Sequence, residues 1–180
     1  VSESFRGEFN QKVDAKARVS IPAAFRRVLE AGDPEYSRPD RADGAKPRFV
    51  IVYGGKDGDD YAVGYTISQM KRVEAQIRRL PSGTKQRKAL ERNLVTLSQL
   101  VEVDDDGRIV LPPKARDRMG VTAEDLKAGF EATFAGTLET FQLWKRDTYE
   151  AAQEAEISLD DLLDDGADLT SLLPHDDPEG

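Results

Sequence analysis

Apolar and polar positions follow a pattern that the chain writes twice. In Arg18-Val19-Ser20-Ile21 two apolar side chains point one way and two polar ones the other, the mark of a half-buried strand. Phe9, Gln11 and Val13 sit out of phase with Asn10, Lys12 and Asp14, a weaker strand signal just upstream. Only Ala15-Lys16-Ala17 lies between the two, the length of a short hairpin loop. Pro22 ends the second strand and can open a helix, because its missing N–H costs nothing in a first turn. Phe25, Val28 and Leu29 give that helix an apolar face, and Gly32 ends it. Ninety residues later, Val103-Asp104-Asp105-Asp106-Gly107-Arg108-Ile109-Val110-Leu111-Pro112 repeats Val13 to Pro22 in register. Asp14 matches Asp104, Arg18 matches Arg108, Pro22 matches Pro112 and Arg26 matches Arg116, while Ala115 and Met119 take the helix positions before Gly120. The pattern predicts one unit of strand, tight turn, strand and helix, duplicated within the chain.

Between and beyond the two copies the pattern predicts further elements. Gly32 to Arg48 is rich in Pro, Asp and Gly and reads as an exposed loop. Phe49 to Tyr53 is an apolar strand, Gly54 to Gly58 a turn, and Tyr61 to Tyr65 the partner strand. The second half repeats these as Phe130 to Phe134, a turn at Gly136, and Leu138 to Trp144. Aligning Tyr65 with Trp144 changes the offset from 90 to 79 residues, so the first half holds 11 more, which the loop before Phe49 can accommodate. Ser68 to Leu80 reads as a helix capped by Ser68, with Met70, Val73, Ile77 and Leu80 as its apolar stripe. Pro81-Ser82-Gly83 breaks it, and Thr84 to Leu100 reads as a second helix with Leu90, Leu94, Leu97 and Val101 inward.

Charge changes the picture at two places. The 180 residues carry 26 Lys and Arg against 34 Asp and Glu, a net charge of −8. Nine of those acids lie from Glu156 onward, where no Lys or Arg occurs, so the rest of the chain balances 26 basic against 25 acidic residues. The acidity therefore belongs to the tail and does not argue against nucleic acid. From Lys71 to Arg92 there are eight Lys and Arg against Glu74 and Glu91, either a solvated helical face or a contact for DNA backbone or an acidic neighbour. Residues 157–180 have the composition of a disordered tail, although Leu159, Leu162, Leu163, Leu169, Leu172 and Leu173 could stripe a short helix on a partner.

Enzymatic chemistry lacks its parts. There is no Cys, hence no disulfide, thiol nucleophile or usual zinc site, and the one histidine, His175, sits in the acidic tail. Gly54-Gly55-Lys56 lacks the spacing of a phosphate loop. Glu102-x-Asp104-x-Asp106-Gly107 imitates the start of a calcium loop, but Pro113 stands where the bidentate Glu belongs. We expect no catalytic residue, cofactor, metal or small-molecule substrate. No apolar run approaches the ~20 residues of a membrane span and no signal-peptide pattern opens the chain, so we expect a cytoplasmic protein without membrane association.

DNA binding, by contrast, has its parts. A two-stranded ribbon fits the major groove, and Arg can donate two parallel hydrogen bonds to guanine O6 and N7. Arg18 starts the second strand on its polar face beside the loop, and Lys12, Lys16, Arg26 and Arg27 surround it with charge suited to phosphates. Asp14 faces Arg18 across the hairpin, either as an exposed salt bridge worth well under about 1 kcal/mol or as a brace for the guanidinium. Asp104, Gly107 and Arg108 supply the same motif in the second copy, but Glu102, Asp105 and Asp106 add charge that repels phosphate. The first hairpin is the expected reader, and the second completes a sheet that one half cannot close.

The hairpin-Pro-helix pattern resembles the swapped-hairpin DNA-binding unit of the SpoVT/AbrB-like families. With Phe5-Arg6-Gly7-Glu8-Phe9 at the start and Asp-x-x-x-Arg-x-x-x-Pro in both copies, residues 1 to 155 resemble the MraZ family specifically. The resemblance implies an α+β fold, a pseudo-two-fold β-barrel built from two AbrB-like hairpin-helix units and flanked by helices. Residues 1–80 and 81–156 would be its halves, followed by the acidic, disordered tail at 157–180. It also implies a sequence-specific transcriptional regulator, a repressor, of the bacterial division and cell-wall gene cluster. Such a protein would act in the cytoplasm on the nucleoid as a ring-forming homo-oligomer, bound to direct repeats in double-stranded promoter DNA. One departure stands out. The family's first copy usually reads Asp-x-Lys-Gly-Arg, and here Ala17 replaces the glycine, which costs about 1 kcal/mol if φ is positive there. The alternative expectation is an interaction protein like the antitoxin relatives of this fold, using the leucine-bearing tail.

Overall fold

The fold is described from a computed structural model over residues 4–156 and 158–175. It divides into two compact units, Val1–Tyr149 and Glu150–Gly180. In the first unit, β1 (Glu8–Val13) and β2 (Arg18–Ser20) make the first hairpin. Pro22 then starts α1 (Ala23–Ala31), whose Phe25, Val28 and Leu29 are buried as their spacing predicts. The short α2 (Pro34–Ser37) precedes β3 (Arg48–Val52) and β4 (Tyr61–Thr66), which run into α3 (Ile67–Arg78). Next, α4 (Lys85–Leu90) passes into a π-helical turn at Glu91–Thr96. The second copy follows as β5 (Ser98–Glu102), β6 (Arg108–Val110), α5 (Pro113–Arg118), α6 (Ala123–Ala128), β7 (Phe130–Thr137) and β8 (Thr140–Lys145). The helix α7 (Arg146–Ala155) begins where the first unit ends.

All eight strands pair antiparallel in the order β5-β3-β4-β8-β7-β1-β2-β6. The first strand of each half pairs with a strand of the other half. β1 lies on β7 of the second half, with Val13 opposite Phe130, and β5 lies on β3 of the first, with Val101 opposite Phe49. Exchanging the halves preserves every neighbour relation except β1–β2, whose counterparts β5 and β6 are the two ends of the order, and this is the pseudo-two-fold symmetry expected of the repeat. The sheet is a nearly closed barrel, and the Asp104 N–H donating to the Arg108 carbonyl at 2.8 Å joins the two end strands through the second loop. A single half would leave strand edges unpaired, so the exchange removes a hazard that neither half could remove alone.

Aromatic side chains fill the barrel. Phe5, Phe25, Phe49, Phe134 and Phe141 are all buried, with Phe5 edge-on to Phe25 at 5.2 Å and to Phe141 at 5.1 Å. The halves contribute unequally, since Phe25 of α1 corresponds in the repeat to Ala115 of α5. Its ring crosses to contact Phe134 and Phe141 of the second half, filling the space that a second phenylalanine would otherwise contest.

Four sequence expectations require correction. The helix expected over Thr84 to Leu100 stops at Thr96, and residues 98–102 form β5. The i, i+3 leucines outweighed a weaker alternation of Gln99, Val101 and Val103, but pairing with β3 decides the conformation. Val101 is buried from the strand, whereas Leu90, Leu94 and Leu97 are only half-buried. The cap of α3 is Thr66, whose hydroxyl accepts from Gln69 N at 3.0 Å, while Ser68 donates its own N–H to the Gly32 carbonyl. The turn between β7 and β8 falls at Leu138-Glu139 instead of Gly136. Gly136 stays in the strand because the Phe5-Arg6 backbone crosses its Cα where any side chain would collide. Finally, the loop from Gly32 to Arg48 is anchored by the fully buried Asp33, which accepts from Arg48 N at 3.0 Å, Arg48 Nη2 at 3.1 Å and Glu35 N at 3.1 Å.

In the second unit, α8 (Leu159–Leu162) and a 3-10 turn at Leu169–Leu172 are each one turn long. Of the tail expected to be disordered, Ile157 and residues 176–180 lie outside the described residues.

Candidate nucleic-acid interface

Each hairpin loop is organised by its aspartate. Asp14 Oδ1 accepts from Lys16 N at 3.0 Å and Arg18 N at 2.9 Å, and Oδ2 accepts from Arg18 Nε at 2.7 Å. The backbone closes the same turn, with Ala17 N donating to the Asp14 carbonyl and Asp14 N to the Arg18 carbonyl. In the second copy Asp104 Oδ1 accepts from Asp106 N and Arg108 N, both at 2.9 Å. The Arg18 N–H, followed by its side-chain hydrogen bond, holds the Asp14 carboxyl below the usual range, and the Arg108 N–H does the same for Asp104. Both carboxylates are therefore charged near neutral pH and fix their loops.

Both loops need a left-handed residue at the same place. Ala17 has φ 62° and Gly107 has φ 75°. The alanine thus adopts the strained conformation that its sequence position suggested, and it is buried while doing so. These residues also lock the hairpins together. Ile21 N donates to the Gly107 carbonyl at 2.9 Å and Leu111 N to the Ala17 carbonyl at 2.8 Å. Between these bonds β2 pairs with β6, Arg18 opposite Val110, Val19 opposite Ile109, and Ser20 opposite Arg108.

That register builds one surface from two loops. Val19 and Ile109 are buried, so Arg18, Ser20, Arg108 and Val110 share the outward face. The two arginines are diagonal neighbours across the pseudo-two-fold, a separation on the order of 7–8 Å between backbones. Their electrostatic settings differ. Arg18 is held by Asp14 alone, whereas Arg108 lies 3.1 Å from Asp106 and 3.7 Å from Asp104. Val110 is 58% exposed between them, an apolar strand residue left on the surface.

The remaining predicted contacts are distributed unevenly. Lys12, on the outward side of β1, and Lys16, at the loop tip, are exposed, as is Arg27 on α1, which forms no ion pair among the described residues. Arg26 is half-buried, and its guanidinium lies directly over the Cα of Gly107, where a Cβ would displace it. Its Nε finds no hydrogen-bond partner among the described residues. It therefore supports the opposite hairpin from below. Sequence reasoning placed Ser20 beside Arg18 on the polar face but missed this contact between halves and missed Val110. The alternation Arg108-Ile109-Val110 carried the signal for Val110, but the apolar run Ile109-Val110-Leu111 masked it. The basic residues of α3 and α4, from Lys71 to Arg92, occupy other elements from the ribbon.

Comparison with known proteins gives this geometry a family. Residues 95–169 match the family described as "MraZ protein, putative antitoxin-like". The protein named Transcriptional regulator MraZ of Cereibacter sphaeroides is 57% identical over 173 residues, covering 96% of this chain and 97% of that one. Its namesake in Ruegeria sp. is 45% identical over 163 residues, 89% of this chain and 90% of the relative. The Ligilactobacillus salivarius namesake is 28% identical over 166 residues, 92% of this chain and 98% of its own. The doubled Asp-x-x-x-Arg hairpin, the exchanged barrel and a match along almost the whole length lead to one conclusion: the chain belongs to the MraZ family.

Proposed function

We propose that this protein is a transcriptional regulator that binds double-stranded DNA through the β2–β6 ribbon. The observation that supports this most is the shared exposed face of Arg18 and Arg108, each preceded by an aspartate that fixes its loop. An antiparallel ribbon can enter a major groove about 12 Å wide, and an arginine on its outer face can then meet a guanine edge. Arg18, with a single carboxylate partner, is the base reader in this proposal. Lys12, Lys16 and Arg27 contribute phosphate contacts, and Arg26 keeps the neighbouring hairpin in place. The relatives' name, Transcriptional regulator MraZ, supports a role in binding DNA.

The finer parts of the proposal concern assembly and target. Several copies in a ring would present several ribbons to direct repeats in a promoter, and the regulator would repress the division and cell-wall gene cluster from the nucleoid of the cytoplasm. Selection of bound sequences from a random DNA pool tests the core of this. A recurring motif, lost when the selection is repeated with Arg18→Ala, is the expected result. Recovery of unrelated sequences by the unaltered protein would refute specific reading.

A further inference from the structure

The acidic tail contains its own repeat, with a period of ten. Ser158-Leu159-Asp160-Asp161-Leu162-Leu163 and Asp168-Leu169-Thr170-Ser171-Leu172-Leu173 each place a capping residue before Leu-x-x-Leu-Leu. The structure starts a helical turn at both. Ser158 Oγ accepts from Asp160 N at 3.3 Å, and Asp168 Oδ1 accepts from Thr170 N at 2.9 Å. Leucines at i, i+3 and i+4 fall on one side of such a helix. Here Leu159, Leu162, Leu169, Leu172 and Leu173 are 48–63% exposed. One turn is too short to persist without a surface to lie on.

A surface of matching chemistry exists on the first unit. Between α3 and the π-helical turn lies a groove of about 260 Å³ that includes Ile77, Thr96 and Val95, the last 45% exposed. Its acids, Glu74 and Glu91, are paired with Arg78 and Arg87. That leaves Lys71, Arg79, Lys85, Lys88 and Arg92 exposed on the same elements without an ion pair among the described residues. Ile77 and Val95 give the groove its apolar part among the ion-paired Glu74, Arg78, Arg87 and Glu91, and with the unpaired cations of the same elements it complements an acidic segment with a leucine stripe.

We propose that the two Leu-x-x-Leu-Leu motifs of one chain dock in the α3–α4 groove of a second copy. Leucines enter the groove, and the carboxylates at Asp160, Asp161, Asp164, Asp165 and Asp168 meet the lysines and arginines around it. The absence of cysteine from the chain makes a direct test available. Full-length chains carrying Val95→Cys and Leu162→Cys are produced together with different tags, purified, and oxidised mildly. The expected product is a disulfide-linked pair with one chain of each kind, about tenfold or more above that from Ala123→Cys with Leu162→Cys, by the effective concentration of a docked pair. Adding Lys85→Glu and Lys88→Glu to the Val95→Cys chain should abolish the excess. The proposal is overturned if no excess forms, if a chain carrying both cysteines closes only on itself, or if serine at Leu159, Leu169 and Leu172 leaves the yield unchanged. The last result would leave charge attraction alone.

Discussion

Arginines in the two loops differ less in position than in company. Arg18 and Arg108 occupy related places on one face, but Arg108 is held by two carboxylates and Arg18 by one. Arg18→Ala should therefore cost about 1–3 kcal/mol on a specific site and little on random DNA, whereas Arg108→Ala should cost clearly less. Arg27→Ala, at the proposed phosphate contact, should weaken both kinds of DNA alike and lower the salt slope by roughly one unit. Titrations at several salt concentrations, with melting curves to confirm folding, separate these outcomes; specific binding lost only with Arg108→Ala would reverse the assignment. The left-handed residues make a second contrast. Ala17→Gly relieves about 1 kcal/mol of backbone strain but removes a buried methyl worth about 0.8 kcal/mol and loosens the unfolded chain, so stability should change by less than about 1 kcal/mol. Gly107→Ala adds strain and also displaces Arg26, for a loss of about 2 kcal/mol or more. Urea unfolding checks both, and Arg26→Ala in the Gly107→Ala background should recover part of the loss if the two side chains collide.

Elements in this protein take their ends from what crosses them. β7 runs past Gly136 because the Phe5-Arg6 backbone occupies the side where a side chain would stand, and Phe5 N bonds to the Leu138 carbonyl at 2.7 Å. β5 is a strand because β3 offers it a partner. The connection from α1 to β3 depends in the same way on one buried carboxylate. Burial pushes the Asp33 carboxyl up, but hydrogen bonds and charge from Arg48 outweigh it and leave the group below its ordinary 3.8. A depressed carboxyl contributes stability that is complete above its unfolded pKa and lost as pH falls through its folded one. Asp33→Asn should therefore flatten the acid limb of a melting-temperature profile recorded between about pH 6 and pH 2. At neutral pH the same change should cost about 3 kcal/mol, toward the low end for a broken buried pair because Arg48 keeps some contact with water. An unchanged acid limb would show that Asp33 is not the group that titrates.

The whole first unit depends on exchange between its halves. β1 and β5 each pair outside their own half, and the β2–β6 ribbon exists only because both hairpins meet. The proposed DNA-reading surface, made this way, presents one ribbon per chain, so several ribbons on one DNA face require several chains. If a ring provides them, sites one helical turn apart, about 10 base pairs, should be bound together. Inserting about half a turn between two repeats should then reduce affinity sharply, read by gel shift on matched probes. Equal affinity for both spacings would rule out simultaneous engagement.

Much of this was written in the sequence alone. The doubled Asp-x-x-x-Arg-x-x-x-Pro, its alternating flanks and the prolines specified two hairpin-helix units, because turn chemistry and strand periodicity are local properties of a few residues. The same motif named both arginines and marked Ala17 as strained on the condition of a positive φ, which the structure supplies. Tertiary structure decided the rest. Which strand pairs with which depends on edges far away in sequence, β3 and β5 meeting as Val52 opposite Ser98 and Arg48 opposite Glu102, so neither β5 nor the strand exchange is legible in a local pattern. Arg26 carries charge suited to phosphate, yet only the meeting of the two halves brings Gly107 beneath its guanidinium. Asp33 reads as a loop residue, and only the fold brings Arg48 to it and excludes water from both carboxylate oxygens. Sequence set what each segment could be, and long-range pairing and burial, which no local pattern encodes, set what it met.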